Sequence, residues 1–221
     1  MFIVGRSKNK NMKWSQVPLG QMQTNCYVLE KEDSTCLIFD PGSEGEKLIK
    51  FLREKGLNPV GIVLTHAHFD HIGAVDVIRN EYSIPAYVHI NEKDWLTTPS
   101  LNLSDFMKVG KIQVQEADVL INGEQELTIG GFTFQVLETP GHSPGSVSLY
   151  FADEGIVVAG DALFNGSIGR TDLPGGNREQ LLQSIHEKLI GLPEETTVLC
   201  GHGSVTTIGN EMNSNPFLNG F

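Results

Sequence analysis

The sequence predicts an α/β fold built as one domain, with two β-sheets packed together and helices on their outer faces. Short β-branched or aromatic runs bounded by Gly, Pro or Asn recur along the 221 residues, and such runs read as strands. Between them lie stretches whose apolar residues return every three or four positions, the period of a helix with one buried face. No fixed-period repeat, low-complexity tract or long linker divides the chain, and its length suffices for one substantial core.

Taken in order, strands are expected over residues 25–29, 35–39, 60–64 and 85–89, then over 125–129, 132–137, 146–151, 155–159 and 196–199. Helices are expected over 44–55, 70–80, 178–189 and 206–214. The first puts Leu48, Ile49 and Leu52 on one face, and Gly56 ends it. The second follows directly on a cluster of histidines. The third gathers Leu181, Leu182, Ile185 and Leu189. Gly130-Gly131 reads as a hairpin turn between two strands. The segment 95–115 follows neither period and reads as a loop or lid. Residues 1–12 are expected to be a weakly ordered leader or a mis-called start, with the domain proper over 13–221.

Composition narrows the class of function. The hydrophobic share of 39 % and charged share of 19 % are those of an ordinary soluble protein. A net charge of −11 argues against a nucleic-acid partner, which needs basic surface to replace phosphate counterions. Cys26, Cys36 and Cys200 are odd in number and lack zinc-ribbon spacing, so they read as reduced thiols of a cytoplasmic protein. Cys200, two residues before a histidine, reads as core. No apolar run approaches the roughly 18 residues of a membrane helix. The oligomeric state is not written in the sequence.

Chemistry concentrates at seven positions. The run His66-Ala67-His68-Phe69-Asp70-His71 packs three imidazoles and a carboxylate together, straight after an expected strand. His142, Asp161 and His202 follow at wide intervals, each among glycines and after an apolar run. His66 and His68 are two apart, so an extended backbone aims both to one side. Asp70 and His71 come where the chain turns and can aim elsewhere. That split suits two neighbouring ions, and Asp161, with two oxygens, can bridge them. Zinc accepts imidazole and carboxylate together and leaves a position for water in catalytic sites; iron or manganese could stand in its place.

Several further residues keep two readings. Asp40 either accepts a hydrogen bond that orients a ligand histidine or is a turn residue before Pro41. Phe164 lines a pocket or belongs to the core. Arg170 anchors a substrate carboxylate or pairs locally with Asp172. His89 and His186 read as structural or solvated.

The pattern His66-x-His68-x-Asp70-His71, followed by His142, Asp161 and His202, resembles the metallo-β-lactamase superfamily from about Lys13 onward. That resemblance implies a four-layer αββα sandwich with the metals at one edge of the sheets. It also implies one ion on His66, His68 and His142, another on Asp70, His71 and His202, and Asp161 between them. True β-lactamases of the superfamily lack the bridging aspartate. Thr139-Pro-Gly-His-Ser-Pro-Gly-Ser146, Gly160-Asp-Ala-Leu-Phe164, Gly169-Arg-Thr-Asp172 and Asn215-Pro-Phe-Leu218 look most like the glyoxalase II-type hydrolases, in their short bacterial form. The implied reaction is hydrolysis of a small thioester by hydroxide between the metals, with Asp70 as ligand and catalytic residue. The rivals are a persulfide dioxygenase with one iron on His66, His142 and Asp161, a lactone hydrolase, and a non-enzymatic module with structural metal.

Overall fold

Period-two burial on the strands dictates the layers. In β4 (Thr35–Phe39), Cys36 and Ile38 face one apolar cluster while Leu37 and Phe39 face another, so this strand is covered on both sides. The computed structural model describes residues 3–9 and 11–218. Its first sheet runs in chain order from β1 (Ile3–Arg6), β2 (Met12–Leu19) and β3 (Thr24–Lys31) through β4. It continues through β5 (Asn58–Val63), β6 (Ala86–His89) and β7 (Val119–Ile121). The first four strands pair antiparallel, and β4 to β7 pair parallel.

The second sheet is built from β8 (Gln125–Ile129), β9 (Phe132–Glu138), β10 (Val147–Phe151) and β11 (Ile156–Gly160). A small hairpin, β12 (Leu163–Phe164) with β13 (Ser167–Ile168), leads on to β14 (Thr197–Cys200) and β15 (Thr206–Thr207). The order is β15-β14-β11-β10-β9-β8. Gly130 and Gly131 turn β8 into β9 with φ of 53° and 77°, as a two-residue hairpin with both central residues left-handed requires.

Three cores separate four layers. Leu37, Phe39 and Val63 of the first sheet meet Phe134, Val136, Leu149 and Phe151 of the second. On the outer face of the first sheet, α1 (Gly45–Lys55) and α3 (Val75–Tyr82) bury Leu48, Leu52, Val75 and Ile78 against Cys36, Ile38 and Ile62. Outside the second, α5 (Arg178–Ser184) and α6 (Ile208–Ser214) bury Leu181, Leu182 and Ile208 against Val157, Ala159 and Val198. The expected αββα sandwich is what forms.

Departures from expectation have local causes. The helix expected over 70–80 is broken into α2 (Phe69–Ile72) and α3. The break lets Ala74 N–H donate to the Pro41 carbonyl and presses Gly73 onto Gly42, where a Cβ would lie 2.5 Å from the Gly42 oxygen. The helix expected over 178–189 changes to a wider π turn at Ile185–Leu189. Thr206-Thr207 pairs with β14, and Thr207 then caps α6 by accepting from Asn210 N–H. Within 95–115, α4 (Ser104–Met107) is helical, and the Asn102 amide ties the rest by donating to the Trp95 and Ile112 carbonyls. Among the described residues, no helix is long and apolar enough to cross a membrane.

Part of the segment 1–12, expected to be weakly ordered, is described and pairs into the first sheet. Ile3–Arg6 pair with residues 13–16, and Met12 begins β2 with its side chain in the inter-sheet core. Backbone pairing at a sheet edge needs no apolar pattern, so the exposed side chains of β1 gave no signal. Met1, Phe2 and Lys10 lie outside the described residues. Deleting residues 1–11 is expected to leave catalysis intact, because the candidate ligand residues are carried by the loops after β5, β9, β11 and β14. Melting is expected to fall by about 2–4 °C for each kcal/mol of lost pairing, which differential scanning calorimetry would read.

Candidate metal centre

Every expected ligand leaves the C-terminal end of a strand. Residues 66–71 follow β5, His142 follows β9, Asp161 follows β11 and His202 follows β14. The loops after these strands meet at one edge of the sandwich, the place where open α/β sheets bind ligands. The seven positions read from the sequence come together there.

Two groups of donor atoms result. One nitrogen each of His66, His68 and His142 lie within 4.8 Å of one another, and so do donors of Asp70, His71 and His202. Between the groups sits Asp161. Its Oδ1 is 3.5 Å from His71 Nε2, and its Oδ2 is 3.5 Å from both His142 Nε2 and His202 Nε2. Asp70 Oδ2 lies 3.3 Å from His202 Nε2 and accepts from the Thr24 hydroxyl at 2.7 Å. Gly201 makes room for this: a Cβ there would fall 2.1 Å from Asp161 Oδ1.

Outer hydrogen bonds select which nitrogen faces inward. His71 Nδ1 is 3.0 Å from Asp40 Oδ2, and His142 Nδ1 is 2.8 Å from the Arg170 carbonyl. His66 Nδ1 is 3.1 Å from the Thr65 hydroxyl, which itself donates to Asp40 Oδ2. A proton on each of those Nδ1 atoms leaves three Nε2 lone pairs aimed into the cluster. His68 turns the other way, with Nδ1 2.9 Å from His142 Nε2. Asp40 therefore stands behind His71 and is more than a turn residue. It also lies within ligand reach of His66 and His71. Its oxygens are already engaged by Thr65 N–H, the Thr65 hydroxyl and His71, so it orients rather than ligates.

The donor set fits a bound cation. His66 Nε2, His71 Nε2 and Asp161 Oδ1 are buried and have no hydrogen-bond partner among the described residues, a costly state that a cation on their lone pairs removes. Protonation follows from the crowding. Burial and neighbouring imidazoles push His66 well below the usual histidine range. For His71, burial opposes the charge, but Asp70, Asp161 and Asp40 outweigh it and raise it to about 10. Burial likewise opposes ionisation of Asp70, and His71 with hydrogen bonds from His202 and Thr24 holds it well below the carboxylate range. Metal binding at pH 7 is therefore expected to release the His71 proton. Calorimetric titrations in buffers of different ionisation enthalpy would count it. In the metal-free protein this stabilisation is complete below the ordinary histidine value of about 6.5 and is lost as pH rises toward 10.

One residue carries no signal in the sequence. Glu92, in the 3₁₀ turn Ile90–Trp95, is fully buried; its Oε2 accepts from Ala67 N–H, and its Oε1 from the Ser143 hydroxyl and Gly145 N–H, the last at 2.7 Å. It clamps the His66–His68 loop to the His142 loop. Burial raises it above the ordinary carboxylate range, against the lowering pull of those three bonds. An isolated acid after a strand looks the same in a sequence whether or not it does this.

Around the cluster, Arg170 makes a two-pronged pair with Asp172, 2.8 Å on each arm. Phe164 lines the cleft over the ligands and also packs on the third core. His89 bonds Glu138 at 2.9 Å, and His186 is exposed on the helical turn after α5. The three cysteines are free and buried, and burial raises Cys200 to about 12. Asn215 of the closing Asn-Pro-Phe-Leu donates to the Ser167 carbonyl and so braces the β12–β13 hairpin.

The profile of the metallo-beta-lactamase superfamily matches residues 19–202. A probable metallo-hydrolase of Bacillus subtilis, YqgX, is 56 % identical over 95 % of this chain and 99 % of that protein. Hydroxyacylglutathione hydrolase GloC of Haemophilus influenzae is 38 % identical over 92 % of this chain and 96 % of its own length. Among solved structures, the BLEG-1 B3 metallo-beta-lactamase is 54 % identical with a TM-score of 0.92, covering 94 % of this chain and 100 % of that one. TTHA1623 in a di-iron-bound form is 39 % identical with a TM-score of 0.79, over 92 % and 99 %. With the sandwich, the ligand loops and these matches in agreement, the chain belongs to the metallo-beta-lactamase superfamily and to its metallo-hydrolases.

Proposed function

We propose that this metallo-hydrolase cleaves thioesters with two metal ions held side by side. His66, His68 and His142 would hold one ion and Asp70, His71 and His202 the other, with Asp161 shared. The observation that carries the two-ion reading is the placement of Asp161, one oxygen toward His71 and the other toward His142 and His202. Metals bound there supply an ionised water near neutral pH and polarise the substrate carbonyl. The chain's residues do the rest. Asp40, Thr65 and the Arg170 carbonyl hold the inner lone pairs in place, and Asp70 accepts a hydrogen bond from the attacking water.

The leaving group argues for sulfur. Apart from the proposed ligands, the described residues lining the cleft offer no tyrosine, lysine or carboxylic acid to protonate a departing atom. A thiolate, with a thiol pKa of about 8.5, leaves without that help, whereas an alkoxide or amide nitrogen needs it. Water's oxygen ends on the acyl carbon, the C–S electron pair leaves with sulfur, and carboxylate and thiol are released with one proton. The likeness to GloC supports the same class. Zinc suits the imidazole and carboxylate donors, and iron is the metal named for TTHA1623.

Hydrolysis of S-D-lactoylglutathione by the zinc-loaded protein, beside the Asp161→Ala variant, tests the reading. Metal-dependent turnover lost in the variant supports it. Absence of turnover with any thioester sinks it, and oxygen uptake with a persulfide by the iron-loaded protein would replace it. The 54 % identity to a B3 β-lactamase structure favours one second reading, opening of β-lactams, so nitrocefin belongs in the same assay.

A further inference from the structure

We infer that the acyl group of the substrate is apolar and that its thiol carries a negative charge. The inference rests on the thioester reading above. Two adjoining clefts carry it. The one over the ligand set, about 300 Å³, is walled by Met22, Phe69, Leu103, Met107, Phe164 and Leu173. Its one arginine, Arg170, is already taken by Asp172 on both arms, and no lysine lines it. A small hydroxyacyl group would find no free polar side chain on these walls except Ser167. A hydrocarbon would find them complementary, because apolar walls reward burial of methylenes and leave hydroxyls unpaired.

The exposure of one wall residue points the same way: Met22, which lines both clefts, is 47 % exposed, so an apolar group of the ligand can cover it.

The second cleft, about 740 Å³, shares Met22, Phe69 and Asp70 with the first and runs away from the ligand set. It is bounded by the backbone turn Gly20–Gln23 and by Lys47 and Lys108. Lys47 is engaged by Glu44 and the Pro18 carbonyl. The Lys108 ammonium has no ion-pair or hydrogen-bond partner among the described residues, so it is the cation open to a ligand. A thioester lying across both clefts puts its hydrocarbon beside Met107 and Phe164, its carbonyl over the ligand set and its thiol carrier toward Lys108.

The test combines catalysis with binding to the zinc-loaded wild-type protein. Among glutathione thioesters, S-hexanoylglutathione is expected to exceed S-D-lactoylglutathione in kcat/KM by at least about tenfold, since each buried methylene is worth about fourfold and two suffice. By titration calorimetry, the non-hydrolysable S-hexylglutathione is expected to bind at least about tenfold tighter than S-methylglutathione on the same ground. Met107→Gln should erase most of that chain-length preference. Lys108→Glu should raise KM by about three- to tenfold with kcat unchanged, the size of an exposed charge reversal. Equal or reversed preference between hexyl and methyl thioethers overturns the apolar assignment, and an unchanged KM in Lys108→Glu overturns the anionic one. Tight S-hexylglutathione binding without hydrolysis of any thioester sinks the proposed function and leaves the apolar cleft standing.

Discussion

Asp161→Ala is expected to lower hydrolysis by about 10³-fold or more even in excess metal, beyond the 10–100-fold typical of a group that only orients a ligand. The argument is positional. The carboxylate lies between the two donor groups, 3.5 Å from nitrogens of each, and it is the charge they share. Without it, two cations would face each other with Asp70, which lies in only one of the two donor groups, as the one carboxylate left among the proposed ligands. Metal content separates this from simple misfolding. The variant should fold, since Asp161 Oδ1 is a buried atom without a hydrogen-bond partner among the described residues and its removal breaks no hydrogen bond there. It should bind fewer ions per chain by atomic emission, with an unchanged far-ultraviolet dichroism spectrum. Full activity in Asp161→Ala would end the two-ion reading.

Glu92→Ala is expected to destabilise the fold by about 3–5 kcal/mol, because the buried Ala67 and Gly145 amides and the Ser143 hydroxyl lose their acceptor together. For a chain of this size that is a fall in melting temperature on the order of 10 °C. The isosteric Glu92→Gln keeps one carbonyl oxygen but turns an NH₂ toward donors, so it should be nearly as damaging. The consequence for the metal centre is selective. Glu92 joins the loop of His66 and His68 to the loop of His142, and its three hydrogen bonds leave Asp70 and His202 untouched. Competition with a chelator should show one ion held about 10–100-fold more weakly, the range for a group behind the ligands, and the other unchanged. Equal weakening of both ions would make Glu92 a general prop of the fold.

Both predictions hang on contacts that the chain order hides. Glu92 stands 51 and 53 residues from the groups it binds in the His142 loop, and 25 from Ala67. Asp40 is 31 residues from His71. Such acids look alike in a sequence whether they face water or clamp two loops. Strand β2 was hidden for a different reason: Ser15, Gln16 and Pro18 break its apolar pattern, and it is held by pairing along its whole length with β3 and by the Gln16 amide on Asn25 and Gly203.

The gathering of the seven candidate positions, by contrast, was legible in one dimension. Imidazoles and carboxylates seldom gather beside glycines at strand ends without a cation to share, so residue type and spacing were enough to name all seven positions. The αββα layering was legible too, because alternating and three-to-four-residue apolar periods state which faces must be covered. Which nitrogen of each histidine faces inward, which acid stands behind which ligand, and how apolar walls meet a free lysine beside the cleft depend on loops converging from separate strands. Those are distances in space, set by packing, and no local pattern of residues encodes them.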